Sequence, residues 1–395
     1  MKFPKHFIFS TASAAYQIEG GWNEDGKGEN IWDRIVHSDP NYIQDHSNAD
    51  VTCDSYHKYK EDIKCIRKIG FKAYRFSLSW ARILPTGDIT RINKNGIKYY
   101  MDLIDELIKN DIQPMVTLYH WDLPQTLQNL GGWLNPIIAD YFEDFAYLVF
   151  SIYGNKVKWW ITINEPSCIA SGYGGVDYAP AMHLNGIGEY LAGHTLIKAH
   201  AKVYRLYENH FKSAQKGKIS FALNGAFGMP VSESEEDVMA AERYNQFEFG
   251  WFAHPIYSNT GDYPPVMRDT VDRNSAGEGR RFSRLPSFTN EEIEFIKGTY
   301  DFIGINHYTS RLCTTGSEGE NPSRSRDTKV KTSVDPNWPP TGVSWNKVVP
   351  EGLRKLLNWL KNEYGNLTVF ITENGYSDNT TVLHDKGRIE YYKVS

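Results

Sequence analysis

Cysteine is scarce in this chain: 4 among 395 residues, Cys53, Cys65, Cys168 and Cys313. They form no C-x-x-C pair and no metal-ligand spacing, so no structural zinc site is expected. So few fit a reducing compartment and still leave room for one disulfide. Long apolar runs are also missing, and none approaches the length of a membrane span. Met1 is followed by Lys2-Phe3-Pro4-Lys5-His6 without an apolar stretch before it. No signal peptide is therefore read, and the cytoplasm is the expected location unless further sequence precedes Met1. Without a leader, the glycosylation patterns Asn366-Leu367-Thr368 and Asn379-Thr380-Thr381 are read as chance matches. Positive charge is not in excess. The net charge of −5 excludes a strongly basic nucleic-acid footprint and gives no reason to expect a membrane surface.

Aromatic residues are plentiful at 14%, with 11 Trp and 25 Tyr. Flat apolar rings suit stacking on the C–H faces of sugars, although an excess of them more often fills cores and interfaces. Length alone suggests two or three domains, yet a single α/β barrel reaches this size.

Short apolar runs alternate with amphipathic ones. Strands are predicted over 7–14, 72–78, 114–119, 157–163, 218–223, 300–305 and 367–372. Helices are predicted over 58–69, 136–150, 189–207, 235–252 and 350–364, with a further stripe at Ile97, Tyr100, Ile104, Leu107 and Ile108. Such alternation means a parallel sheet with right-handed crossovers. Seven units predict a single-domain (β/α)8 TIM barrel lacking its eighth β/α unit. A doubly wound open sheet is the alternative, but Ser13-Ala14-Ala15-Tyr16 after the first strand is no G-x-G-x-x-G loop. Residues 315–345, rich in Ser, Glu, Asp and Pro, read as a long excursion on the rim.

Two strand ends carry the chemistry. Thr162-Ile163-Asn164-Glu165-Pro166 and Ile371-Thr372-Glu373-Asn374-Gly375 each close an apolar run on a glutamate, 208 residues apart. Pro166 is expected to hold Glu165 extended and to end the strand there. Each motif alone reads as a turn beside a solvated acid. As a pair at the C-terminal rim of one parallel sheet, two carboxyls about 5 Å apart would perform double displacement at a sugar. One would attack carbon while the other protonates the leaving oxygen and later deprotonates water. The attacking carboxylate needs its charge held, and Arg75 is the candidate, because an arginine inside an apolar strand needs a partner. An ordinary buried salt bridge elsewhere is the other reading of Arg75.

More polar and aromatic residues fall at strand ends: Gln17 and Glu19, His120 and Trp121, and Asn306, His307 and Tyr308. Tyr308 is placed to donate to Glu373, Trp121 to floor a sugar pocket, and Trp345 to stack on a leaving group. Simple rim packing is the bland alternative for Trp121.

These residues fall in motifs that resemble family 1 glycoside hydrolases, the β-glucosidase group, and within it the insect β-glucosidases and myrosinases. The resemblance runs from Phe3 to about Tyr392. It rests on Ser13 to Gly20, Tyr74-Arg75-Phe76-Ser77-Leu78-Ser79-Trp80, Tyr119-His120-Trp121-Asp122-Leu123-Pro124, Asn306-His307-Tyr308 and the two glutamate motifs, all in order. It implies a retaining β-glycosidase with Glu165 as acid/base and Glu373 as nucleophile. It implies that Gln17, His120 and Asn164 bind the hydroxyls of the terminal glycosyl unit, that Tyr308 and Arg75 orient and charge Glu373, and that Trp345 is an aglycone platform. It implies a small-molecule β-glycoside as substrate and no cofactor, metal, nucleic acid or membrane.

Plant myrosinases carry glutamine at the acid/base position. Glu165 stands here, so an O-glycosidase is implied, with a thioglucosidase or a non-catalytic glycoside- or partner-binding product as alternatives. Relatives continue beyond Ser395 into an eighth strand whose Trp and Glu grip the sugar. Its absence makes this a truncated form, expected to be inactive or weakly active, with edge strands unpaired.

Overall fold

The computed structural model describes Phe3, Pro4 and residues 7–394. Met1, Lys2, Lys5, His6 and Ser395, on which the reading of leader and terminus leaned, lie outside the described residues. The chain folds as two compact units that share it in interleaved pieces. One takes the described residues up to Asn164 with 176–182 and 198–221, and the other takes 165–175, 183–197 and the described residues from 222 on.

The first unit carries β1 (Ser10–Ala12), β2 (Ala73–Ser77), β3 (Gln113–Tyr119), β4 (Trp159–Asn164) and the start of β5 (Lys218–Asn224). β1 pairs β2, β2 pairs β3 and β3 pairs β4, all parallel. β2 is buried at every position, as a strand covered on both faces must be. The crossover helix Ser55–Ile69 stops at Gly70, whose φ of 96° closes the last turn without a Cβ clash. Lys94–Lys109 begins on the Asn93 side chain, which accepts from the Asn95 amide. Packing is aromatic: the Trp80 and Phe145 rings stack with centroids 5.0 Å apart, and Phe142 lies 5.5 Å from Trp80. Trp80, Trp133 and Trp160 are fully buried, so much of the aromatic excess is core, each ring stabilising by roughly 1.5–3 kcal/mol or more.

The second unit carries the end of β5, then β7 (Ile303–Asn306) and β10 (Val369–Glu373), parallel in the order β5-β7-β10. Beside them β6 (Phe227–Pro230), β8 (Ser310–Thr315) and β9 (Val330–Ser333) make a small sheet absent from the sequence expectations. The helix Pro350–Tyr364 matches its predicted span, starting on proline and ending at Gly365. The helix expected over 235–252 is interrupted. Glu235–Asn245 gives way to a π turn, Gln246–Gly250, before Trp251–Tyr257. Among the described residues no helix is long and apolar enough to cross a membrane.

The excursion over 315–345 is more ordered than its composition suggests. It holds β9 and a short helix, Arg324–Thr328, pinned by a buried ion pair. Arg284 donates from Nη1 and Nη2 to the two oxygens of Asp327, both at 2.7 Å. Tyr190 Oη and Asn274 Nδ2 also donate to Asp327, at 2.7 and 2.8 Å. Every lone pair of this buried carboxylate is engaged, which is what allows a charge there. Asp327→Ala would leave the buried Arg284 with Glu278 as its remaining acidic partner, 3.0 Å from Nη2, and would strip Tyr190 and Asn274 of their acceptor. The expected loss is about 3–5 kcal/mol of unfolding free energy, measured by urea denaturation, against under ~1 kcal/mol for an exposed pair such as Lys98–Asp102.

Candidate active site

At the end of β4, Asn164 is fully buried and acts as a hub. Its Oδ1 accepts from Arg75 Nη2 at 2.5 Å, and its backbone oxygen accepts from Trp121 Nε1 at 3.1 Å. An arginine only donates, so the amide oxygen must face it and the NH2 must face the other way. There Nδ2 lies 3.0 Å from His120 Nε2. That ring nitrogen therefore accepts, and the imidazole proton sits on Nδ1. Arg75 Nε also donates to Thr117 Oγ1 at 3.0 Å. Four of the expected residues, Arg75, His120, Trp121 and Asn164, are thus joined by direct contacts. Trp121 holds φ at 78°, in the left-handed region that costs a non-glycine residue about 1–3 kcal/mol.

Glu165 departs from expectation. Proline was to hold it extended, but its φ and ψ are 51° and 65°. Proline disfavours the right-handed region at the preceding residue. The helix Pro166–Gly174 turns away at once, so the chain takes the left-handed solution instead of the extended one. Three hydrogen bonds hold the strained residue: Glu165 N donates to Ala222 O at 2.9 Å, and Glu165 O accepts from the amides of Cys168 and Ile169 at 3.1 and 3.3 Å.

The carboxylate of Glu165 accepts from Asn306 Nδ2 at 2.9 Å. Asn306 closes β7 and is the register partner of Glu373 on β10. Its Oδ1 accepts from Thr372 Oγ1 at 2.5 Å, while an ionised Glu165 can only accept and so draws the NH2 toward itself. Glu373 accepts from Tyr308 Oη at 2.8 Å through Oε2, while its backbone oxygen accepts from His307 N at 3.0 Å. The Tyr308 ring meets Trp345 edge-on at 6.1 Å, and Trp345 is 51% exposed. One strand-end amide thus touches the first glutamate from the position paired with the second. Asn306 and Thr372 were not singled out in this role. The one signal was the polar tripeptide after β7, and the pairing that matters is 66 residues long-range.

Gln17 lies on the short helix Ala15–Ile18 after β1, with its side chain exposed. Glu19, grouped with it as a rim residue, instead turns inward. It accepts from Arg82 Nε at 2.9 Å and Tyr100 Oη at 2.6 Å in a buried pair. His307 is buried, and desolvation pushes its imidazole down to about 4. It packs under the first turn of Pro350–Tyr364, where a Cβ on Gly352 would fall 1.9 Å from Ser310 Oγ and 3.5 Å from the His307 ring.

The glycosyl hydrolase family 1 model matches residues 1–394. The chain belongs to glycoside hydrolase family 1. It is 56% identical over 394 residues to Myrosinase 1 of Brevicoryne brassicae, covering 99% of this chain and 84% of that one. It is 42% identical over 398 residues to the human cytosolic β-glucosidase, covering 100% and 84%. The solved aphid myrosinase superposes with a TM-score of 0.96 over 100% of this chain and 85% of its own. A β-glucosidase from the fungus Humicola insolens in complex with glucose superposes at 0.92 with 37% identity, covering 99% and 84%. The fold is accordingly the α/β barrel of these enzymes, and the chain is a glycoside hydrolase by descent.

With its folded pKa near 4, the His307 ring is expected to stay neutral throughout the neutral range. In imidazole carbon-13 NMR its signal should hold still between pH 8 and pH 5.5, where exposed histidines titrate. A His307 signal moving with a midpoint near 6.5 would contradict this packing.

Proposed function

We propose that this chain is a retaining β-glycosidase of the β-glucosidase type. It would hydrolyse the terminal non-reducing β-D-glycosyl unit of O-glycosides through a covalent glycosyl-enzyme. The observation that carries the reading is the Asn306 amide, bonded to Glu165 and paired in register with Glu373. Two carboxylates with separate, specific donors suit two separate roles.

Glu373 attacks the anomeric carbon as the glycosidic bond breaks, and Glu165 gives its proton to the departing oxygen. Glu165 then takes a proton from water, the water attacks the same carbon, and the ester to Glu373 is released. Two inversions leave the configuration retained. Tyr308 stabilises the Glu373 carboxylate, a bond to a charged group being worth about 1.5–3 kcal/mol, and Arg75 supplies positive charge. Gln17, His120 and Asn164 bind sugar hydroxyls, Trp121 floors the sugar, and Trp345 offers its exposed face to the aglycone. A rice β-glucosidase variant, 38% identical with a TM-score of 0.91, is described in a covalent complex with Glc, which supports the covalent step.

The second reading is a thioglucosidase, favoured by the 56% identity to a protein named myrosinase. A β-thioglucoside leaves with less need of a proton, so the two readings separate on Glu165→Ala. The burst of aglycone release, which precedes the base step, should fall strongly for an unactivated O-glucoside and little for a thioglucoside.

Release of p-nitrophenol from the aryl β-glucoside is the assay. Glu373→Ala should lower it about 10⁴-fold or more, and unchanged release would refute the nucleophile. Asn306→Ala removes a donor that favours ionised Glu165. The limb of the pH–rate profile set by the acid should move up by about one pH unit, and an unmoved profile would rule out that role.

A further inference from the structure

Asp122 lies outside the chemistry proposed above, in the turn that follows His120 and Trp121. It is 1% exposed, and neither carboxylate oxygen has a hydrogen-bond partner from another residue. It lines a small recess together with Tyr16, Glu19, Lys27, Asp33, Ser79 and Arg82. Each of the two cations there already holds a carboxylate, although Arg82 keeps Nη1 without a partner. Lys27 Nζ donates to Asp33 Oδ2 at 2.7 Å and to Gly28 O at 3.1 Å. Arg82 donates to Glu19 at 2.9 Å and to the backbone oxygen of Gly20 at 2.9 Å, with its guanidinium 4.1 Å from the Tyr56 ring centre. Asp122 is therefore the third carboxylate in a recess with two cations, and the other two carboxylates hold those cations.

We propose that Asp122 is a buried proton-binding site, carried in the folded protein as the uncharged acid, which makes the turn bearing His120 and Trp121 sensitive to pH. An isolated carboxylate in such a place is too costly, and neutralisation is the usual escape. The groups that face it agree. Burial raises its pKa most, and Glu19 and Asp33 add to the rise. Its own backbone N–H and Lys27 oppose it without cancelling it, leaving a value of about 7. The Tyr16 phenol is itself pushed upward by burial and by Asp33, Asp50 and Asp122, and so supplies no compensating charge. Ser79, whose Oγ is also buried without a partner, lines the same recess. The acid form can donate its O–H to such a hydroxyl, directly or through water, where the ion can only accept.

The sign follows. A carboxyl with a folded value near 7 and an unfolded value near 4 contributes stability that is whole below about pH 4 and is lost as pH rises through about 7. Above that, the ion is forced into the recess next to Trp121, whose backbone is already strained. The inference is independent of the glycosidase reading, because it needs no turnover. Thermal unfolding of the 395-residue protein and of Asp122→Asn tests it at pH 5 and pH 8. The asparagine variant should melt within a degree or so of the parent at pH 5 and ~3 °C above it at pH 8. Equal differences at both pH values would overturn the proposal. Should the variant not fold, carbon-13 NMR of the parent labelled at aspartate carboxyls decides. One resonance titrating near pH 7 supports the site, and completion of every aspartate titration below pH 6 overturns it.

Discussion

The candidate site turns on the amide of Asn306. Its NH2 donates to Glu165, which as a carboxylate can only accept, and its oxygen accepts from Thr372. Asn306 sits where it does because β7 and β10 pair in parallel register, opposite Glu373. Sheet geometry thereby gives one acid a donor from the position that pairs with the other. Asn164 repeats the device at the end of β4. Arg75 takes its oxygen, and the NH2 left over sets the tautomer of His120. A donor-only arginine orients one amide and an acceptor-only carboxylate orients the other, so a flexible polar group becomes a fixed one.

Strain accompanies this order. Glu165 and Trp121 both hold left-handed backbones, and each follows the end of a strand. Such conformations persist only where surrounding bonds over-determine them. Glu165 has three backbone bonds and a helix beginning at the next residue. Trp121 has its indole anchored on the Asn164 carbonyl. The rigid strands below supply the stability that the rim gives up, the division of labour expected of α/β barrels.

Much of the fold was legible because it is written locally. Apolar runs of five to seven residues marked β2, β3 and β4, and the amphipathic pattern over 350–364 marked a helix. The two glutamates were legible because each sits where a run stops. What escaped is non-local. Nothing near Asp327 announces that Arg284, 43 residues away, will order the excursion around it. Glu19 looked like Gln17 until Arg82 and Tyr100 drew it inward. The π turn at Gln246–Gly250 is a one-residue change of period that an amphipathic stripe does not display. The backbone of Glu165 escaped because the rule for a residue before proline excludes one region and leaves two open.

The central claim is that Glu373 bonds to carbon while Glu165 moves the proton. It is tested most directly by trapping. A 2-deoxy-2-fluoro-β-glucoside with a good leaving group slows release of the covalent intermediate more than its formation. The account predicts a mass gain of one deoxyfluoroglucosyl unit per chain, mapped by peptide mass spectrometry to Glu373 and abolished by Glu373→Ala. The same sugar found on Glu165, or on a residue outside these two strand ends, would contradict it.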